Sequence, residues 1–327
     1  MSKKRILSGM RPTGKLHLGH LVGALDNWVK LQDEYECFFM VADWHALMSE
    51  YARPNDLKEN ILDNVIDWFA CGISPEKSVI FVQSQVKEHL ELYMIFSIIT
   101  PLGLLERCPT YKEQLREVTN RDLSTYGFLG YPVLQAADIL LYKAEVVPVG
   151  EDQLAHLELT REIARKFNNL YKKDFFPDAK ALLTQGKRLL GLDGRKMSKS
   201  YNNYIALSEK PDSLRKKVLN MFTDPTRIKF TDPGHPQNCN VHNYYTVFAP
   251  ERKKEIDELC RKAKIGCTDC KKELAEILIK FLAPIQEKRD ELLKNKSKIF
   301  DILADGEKKA ASVAEKTIRE VKELINL

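Results

Sequence analysis

Short apolar runs alternate with longer amphipathic ones through the first half of the chain. Arg5-Ile6-Leu7-Ser8 is brief and strand-compatible, and a turn rich in Gly and Pro follows it. From residue 17 to about 32, Leu18, Leu21, Leu25 and Trp28 recur at the spacing of one helical face. Cys37-Phe38-Phe39-Met40-Val41-Ala42 is apolar throughout, as a strand covered on both faces must be, and so is the run over 78–82. Helices are predicted over 54–71, 87–105 and 133–142, and a β-branched segment over 146–149 precedes a turn at Gly150. This βαβα order predicts an α/β fold, a doubly wound parallel sheet with helices on both faces. Ligands of such sheets sit at the C-terminal ends of the strands, so chemistry is expected in the loops after Ser8, Ala42, Val82 and Val149.

From about Gly186 the pattern changes. Gly186, Gly191 and Gly194 punctuate a basic segment, and beyond Lys210 the chain reads as helices and loops, ending in an amphipathic helix over 310–327. We expect two domains, a sheet domain over 1–186 and a smaller all-helical one over 187–327, with the last helix packing back on the first. Composition adds exclusions. With 44% apolar and 30% charged residues among 327, the chain has the make-up of a globular protein, not a disordered or fibrous one. Its longest apolar runs fall far short of the roughly 20 residues of a membrane span, and no signal peptide is legible, so a cytoplasmic protein is expected. A net charge of +5, from 51 Lys+Arg and 46 Asp+Glu, permits a polyanionic partner without requiring one.

Candidate chemistry begins after the first strand. Gly9-Met10-Arg11-Pro12-Thr13-Gly14-Lys15-Leu16 nearly fits a phosphate-binding loop, but Leu16 stands where a hydroxyl is needed to hold Mg²⁺. His17-Leu18-Gly19-His20 opens the following helix, so two imidazoles share one face at its positive end, a place suited to a triphosphate. Taken alone, those four residues fit an ordinary helix start at least as well, and a metal pair is a further reading. Lys196-Met197-Ser198-Lys199-Ser200 carries two lysines three apart that can both reach one polyphosphate.

Together, in this order, the two motifs resemble the paired signature of class I aminoacyl-tRNA synthetases, whose sheet is Rossmann-like. The run from Tyr131 through Asp138 to Tyr142, then Val147-Pro148-Val149-Gly150-Glu151-Asp152-Gln153 and His156 to Arg161, is similar to tryptophanyl-tRNA synthetases. The resemblance covers most of residues 5–205. Tyrosyl-tRNA synthetases share the architecture and are the nearest rival. A nucleotidylyltransferase also uses an H-x-G-H helix but leaves the C-terminal half unexplained. A non-enzymatic iron–sulfur RNA-binding protein leaves residues 196–200 unexplained.

Chemistry supports tryptophan separately. Indole is an apolar plate with one donor N–H, so its pocket needs one acceptor in an apolar enclosure. Asp138, on an otherwise apolar helix, is that acceptor, although a surface carboxylate or a partner of a tyrosine hydroxyl would read the same. Leu7, Val147 and Val149 wall the ring, the two valines sharing a strand face. The resemblance implies that Tyr131 and Gln153 hold the α-amino group and that His45 lines the site.

It also implies a two-step reaction. The tryptophan carboxylate attacks the α-phosphate of ATP, bound with Mg²⁺, and the adenylate then esterifies tRNA(Trp), with release of pyrophosphate and AMP. Arg11, Pro12, Thr13, Gly19 and His20 would lie along the ATP, with His17 beside them, and Gly150, Glu151 and Asp152 around its ribose. Lys196 and Lys199, flanked by Met197, Ser198 and Ser200, would neutralise pyrophosphate as their loop closes. Lys112 is a further candidate, although Lys112-Glu113-Gln114 lacks the second lysine of some relatives. A homodimer is implied, with no membrane association.

Seven cysteines are too odd a count for a disulfide framework. Cys37, Cys71 and Cys108 read as core thiols. Cys239, Cys260, Cys267 and Cys270 leave 20, 6 and 2 intervening residues and form a candidate tetrathiolate site for a [4Fe–4S] cluster or, alternatively, Zn²⁺. Residues 265–272 resemble the form in which some tryptophanyl-tRNA synthetases carry such a cluster near the anticodon-binding region. Arg252, Lys253, Lys254, Arg261, Lys262, Lys264, Lys271 and Lys272 surround it as a candidate phosphate-contacting surface.

Overall fold

The computed structural model describes all residues except 1–2, 53, 55, 110, 113–114, 116–121, 184–188, 198 and 200. Five parallel strands, β1 (Arg5–Met10), β2 (Glu36–Val41), β3 (Ser78–Val82), β4 (Val146–Val149) and β5 (Lys180–Leu183), lie in the order β3-β2-β1-β4-β5. This is the doubly wound arrangement expected. Strand β5 was not anticipated, because Lys180-Ala181-Leu182-Leu183 is half-exposed at the sheet edge and lacks the apolar density of the central strands. The order of the chain reverses between β1 and β4, which pair in register at Ile6↔Val146. Beyond that point Pro148 of β4 has no N–H to offer a neighbour.

The first helix is not uniform. It runs as Leu18–His20, then a π-helical turn over Leu21–Leu25, then Asp26–Glu34. Such widened turns cluster at functional sites because they re-aim side chains. Trp28 anchors the helix, stacking on Phe39 of β2 at 4.5 Å and standing edge-on to Trp68 at 5.2 Å. The single helix expected over 87–105 is two, Glu88–Ile99 and Leu102–Glu106, because Pro101 forces extended backbone at Thr100. Pro132, by contrast, sits in the first turn of helix Tyr131–Leu141, where its missing N–H costs nothing.

Each sheet face has its own apolar core. One gathers Ile6, Phe39, Ile80 and Trp68 together with Leu214, Tyr245, Leu278 and Leu303, so the helical C-terminal region shares a core with the sheet. The other gathers Leu7, Phe38, Phe81 and Val147 with Leu140, Phe167 and, from the far end of the chain, Ala310, Ala314, Ile318 and Val321. The boundary expected at 186 falls outside the described residues. The last helix is longer than expected, Lys296–Ile325, because its amphipathic stripe extends back through Leu303 and Ile299. It straddles the free edge of β3 at Gly306, where a Cβ would stand 1.9 Å from the carbonyl oxygen of Ile80. Only glycine lets helix and strand backbones meet this closely, and the helix covers an edge that would otherwise be open to another strand.

Helix Glu88–Ile99 is apolar on two faces. One packs inward through Leu92 and Phe96, and the other leaves Met94 59% and Ile98 73% exposed, with Leu90 on the same stripe and Leu102 beyond it. No helix among the described residues is long and apolar enough to cross a membrane.

Candidate active site

A cavity of about 430 Å³ opens at the C-terminal ends of β1 and β4, where the chain order reverses. Leu7 and Gly9 of β1 and Val147 and Val149 of β4 form its floor and walls. Arg11, Thr13, His20, His45, Tyr131, Asp138, Gly150 and Gln153 complete much of the lining. Residues scattered over 147 positions are thus brought to one site, and Gly23 and Ala24 of the π-helical turn face it too.

Asp138 is 2% exposed, and burial by itself would raise its pKa. Hydrogen bonds with His45 and His89 outweigh that penalty and hold the carboxyl down to about 2, so it is ionised at neutral pH. His45 Nε2 lies 2.7 Å from Oδ2, while His89 Nδ1 at 2.6 Å and Gln83 Nε2 at 2.8 Å share Oδ1. The remainder of the network is closed as well. Gln83 Oε1 accepts from the Trp44 N–H at 3.2 Å, and His89 Nε2 lies 2.9 Å from the Tyr142 hydroxyl. Oδ2 therefore has the less crowded environment, and it belongs to a residue lining the cavity. On the opposite wall, His156 bridges Tyr131 and Gln153, with Nε2 2.6 Å from the tyrosine hydroxyl and Nδ1 2.9 Å from Gln153 Oε1. That bridge fixes two polar side chains whose separation along the sequence is 22 residues.

At the other end of the cavity, the loop over residues 11–20 meets Met197 and Lys199. Gly14 has φ +120°, a conformation that glycine adopts without strain, and its carbonyl accepts from Lys199 Nζ at 2.9 Å and Asn64 Nδ2 at 3.0 Å. A Cβ on Gly19 would lie 3.0 Å from Met197 Sδ, so the two motifs are in contact. The His17 and His20 rings lie 3.7 Å apart, tilted by 41°, with His20 Nδ1 accepting from the His17 N–H at 3.2 Å. Burial and then the Lys199 charge lower the His17 pKa to about 3; burial, His17 and Lys199 lower that of His20 far below its ordinary value. Both rings are neutral at pH 7. Burial, reinforced by Arg11, lowers Lys199 to about 8, which leaves it largely an ammonium. Leu16 is fully buried in the core, which disposes of the Mg²⁺-loop reading of residues 9–16.

Other expected positions lie further out. Pro12 is buried beside the cavity, while Glu151, Asp152, Lys196 and Lys112 are exposed. Lys196 is positioned by its backbone, which bridges to Leu190 and accepts from Asn203 Nδ2 at 3.1 Å. Ser198 and Ser200 lie outside the described residues.

All seven thiols are free, and Cys37 and Cys108 are buried as expected, Cys71 partly so. The four C-terminal cysteines converge. Burial and then neighbouring thiols raise Cys270 to about 12, and Cys239 and Cys260 are raised by burial with a contribution from Cys267. Gly234 leaves room for the Cys260 sulfur, which a Cβ there would meet at 2.3 Å. They do not, however, form the expected compact metal site: among the described residues no group of three or more His, Cys, Asp or Glu side chains is arranged to hold a metal ion. The surrounding basic side chains are also less available than expected, since Arg252, Lys253, Lys262 and Lys272 pair with nearby carboxylates.

Sequence reading missed Gln83 and His89, and it quoted Tyr142 and His156 without giving either a role. His89 lies on a mainly apolar helix and His156 on the buried face of an amphipathic one, where a histidine is a common core residue. Only their distance to Asp138 and Tyr131 reveals a role.

Comparison with known proteins agrees with the geometry. A family model described as tRNA synthetases class I (W and Y) matches residues 2–283. A Thermotoga maritima protein named Tryptophan--tRNA ligase is 56% identical over 99% of both chains. An Aquifex aeolicus protein of the same name is 44% identical over 99% of this chain and all of that one. Among solved structures, tryptophanyl-tRNA synthetase from Campylobacter jejuni complexed with ADP and tryptophan superposes with a TM-score of 0.89 at 36% identity, over 99% of this chain and all of that one.

The buried network sets a stability prediction. His89→Ala leaves Asp138 Oδ1 and the Tyr142 hydroxyl short of a partner each and should cost about 2 kcal/mol. Equilibrium urea unfolding of the variant and the parent measures the difference; equal midpoints would mean that the network is not coupled to folding.

Proposed function

This chain belongs to the class I tRNA synthetases of the tryptophan and tyrosine kind, and on that premise we propose that it activates L-tryptophan with ATP and transfers it to tRNA(Trp). The observation that carries the choice of amino acid is a single ionised acceptor, Asp138, in a cavity walled by Leu7, Val147 and Val149. An indole N–H aimed at Oδ2 satisfies it, and the apolar walls match the ring. Tyr131 and Gln153, tied together by His156, present hydroxyl and amide groups suited to an α-ammonium.

ATP, with Mg²⁺ as part of the substrate, would lie from Arg11, Pro12 and Thr13 past Gly19 and His20, with Gly150, Glu151 and Asp152 on its ribose side. The tryptophan carboxylate is already ionised, so the first step requires no base. It requires alignment and a positive field at the leaving pyrophosphate. Lys199, already lodged against the loop, supplies that field, and Lys196 with Ser198 and Ser200 would extend it. Neutral His17 and His20 donate ring N–H groups to phosphate oxygens without adding charge. The helical region from about 187 onward would face tRNA, and the protein would act in the cytoplasm.

Thiols near enough to shift one another, with Gly234 leaving space at Cys260, support a shared metal group once the side chains draw together. Four thiolates suit either Zn²⁺ or a [4Fe–4S] cluster, and the likeness of residues 265–272 to the cluster-bearing form favours the cluster. Cys239, Cys260, Cys267 and Cys270 would hold it as thiolates, bracing the loops around it. The exposed stripe Leu90, Met94 and Ile98 would be the homodimer face, since a lone chain rarely leaves such a strip in water.

Tryptophan, not tyrosine, should drive ATP–pyrophosphate exchange, Lys199→Ala should slow it about 100-fold, and kcat/KM for ATP should fall as pH rises through about 8, where the ammonium deprotonates. Near-normal exchange by that variant would remove Lys199 from the reaction. Anaerobically purified protein should contain iron and acid-labile sulfide with visible absorption; colourless protein with one Zn²⁺ per chain would reject the cluster. Ile98→Glu should shift the parent's dimer to monomer in sedimentation; an unchanged dimer would place the interface elsewhere.

A further inference from the structure

The helical region returns to the ATP-side loop through one helix, Cys267–Lys294. Its Arg289 is 7% exposed and forks between Asp63 and Asp67 of helix Leu57–Ala70. Asn64, between those two carboxylates on the same helix, donates from Nδ2 to the Gly14 carbonyl at 3.0 Å. Three residues before Arg289, and so on the same helical face, Gln286 donates from Nε2 to the carbonyls of Leu207 at 2.8 Å and Glu209 at 3.0 Å. Leu207 N–H reaches the Leu16 carbonyl at 3.0 Å. One turn of a distant helix therefore reaches the loop at two points, the Gly14 carbonyl through helix Leu57–Ala70 and the Leu16 carbonyl through Leu207.

Leu16 lies between the two places where the loop matters. Gly14, the acceptor of Lys199, is two residues before it, and His17 follows it. Asn64, one turn from Asp67 on the same helix, holds the Gly14 carbonyl as well. Cohesion alone does not explain a buried guanidinium here. The two helices already pack together, with Leu278, Leu282, Val65 and Ile66 in one shared core, and apolar residues of the same volume would hold them as well as an ion pair does. What an ion pair with a fork adds is a fixed seat for the helix that carries Asn64, and hence for the Gly14 carbonyl.

We propose that Gln286 and Arg289 are positioning residues through which the helical C-terminal region sets the loop over residues 14–17 for a nucleoside triphosphate. They touch no substrate. They act through helix Leu57–Ala70 on Gly14 and through Leu207 on Leu16, and the proposal rests on the assignment of that loop to ATP. A shift of helix Cys267–Lys294 along its axis moves both holds together, so this helix can pass a displacement of the tRNA-facing region to the phosphate end of the cavity and not to the amino-acid end.

The test uses the full chain with Gln286→Ala and Arg289→Lys, the latter keeping the charge but not the fork. ATP affinity is measured by calorimetry and both KM values in tryptophan-dependent pyrophosphate exchange. The expected result for each variant is a loss of ATP affinity of at least about fivefold with a matching rise in KM for ATP, and KM for tryptophan within about twofold of the parent. A purely structural role would lower the melting temperature or the fraction of active enzyme and leave ATP affinity unchanged, which would overturn the proposal, as would equal losses for ATP and tryptophan. If Arg289→Lys does not fold, Gln286→Ala decides alone. ATP binding without any tryptophan-dependent exchange in the parent would instead count against the functional assignment, and the calorimetric comparison of the variants would still judge the positioning role.

Discussion

Strands β1 and β4 pair at Ile6 and Val146 and then part, and the rest of the molecule is arranged around that parting. A doubly wound sheet must reverse its order somewhere, and the helices that follow the two strands leave in opposite directions. The crevice between them is created by topology, before any side chain is chosen. Pro148 reinforces it, since a residue with no N–H cannot zip β4 further. What the sequence then selects is how the crevice is lined, apolar near the floor and charged toward the loop after β1.

The two ends of the cavity use opposite electrostatic strategies. At the floor, a buried carboxylate keeps its charge because three donors surround it, so it stays an acceptor in an apolar setting. At the mouth, two imidazoles lose theirs, since burial and the nearby Lys199 both favour the neutral ring. One negative charge, on Asp138, and one positive charge, on Lys199, then stand at either end of a short cavity. A substrate with an apolar ring at one end and a polyanion at the other is oriented by this polarity without any gate.

Much of this was legible in the chain. The apolar run at 37–42 and the β-branched residues at 146–149 announce central strands, and the spacing of Leu18, Leu21, Leu25 and Trp28 announces the first helix. The motif residues were found because they are local, and Asp138 because a carboxylate is conspicuous on an apolar helix. Other features were hidden for one shared physical reason, long-range contact. Gln83 and His89 acquire meaning only beside Asp138, and Arg289 only beside Asp63 and Asp67, more than 220 residues away. The edge strand β5 was hidden for a different reason, since a half-exposed strand carries no periodic signature strong enough to separate it from a loop. The widened turn at Leu21–Leu25 has no compositional mark at all.

Helix Lys296–Ile325 gives the molecule an order in time as well as in space. It follows all five strands along the chain, yet Leu303 completes one core, Ala310 to Val321 complete the other, and Gly306 seats the helix on the exposed side of β3. The sheet thus emerges from the ribosome with one flank uncovered and is sealed only when this later segment arrives. A product cut short before residue 296 presents an open strand edge and an apolar strip of the kind that quality-control chaperones and proteases recognise.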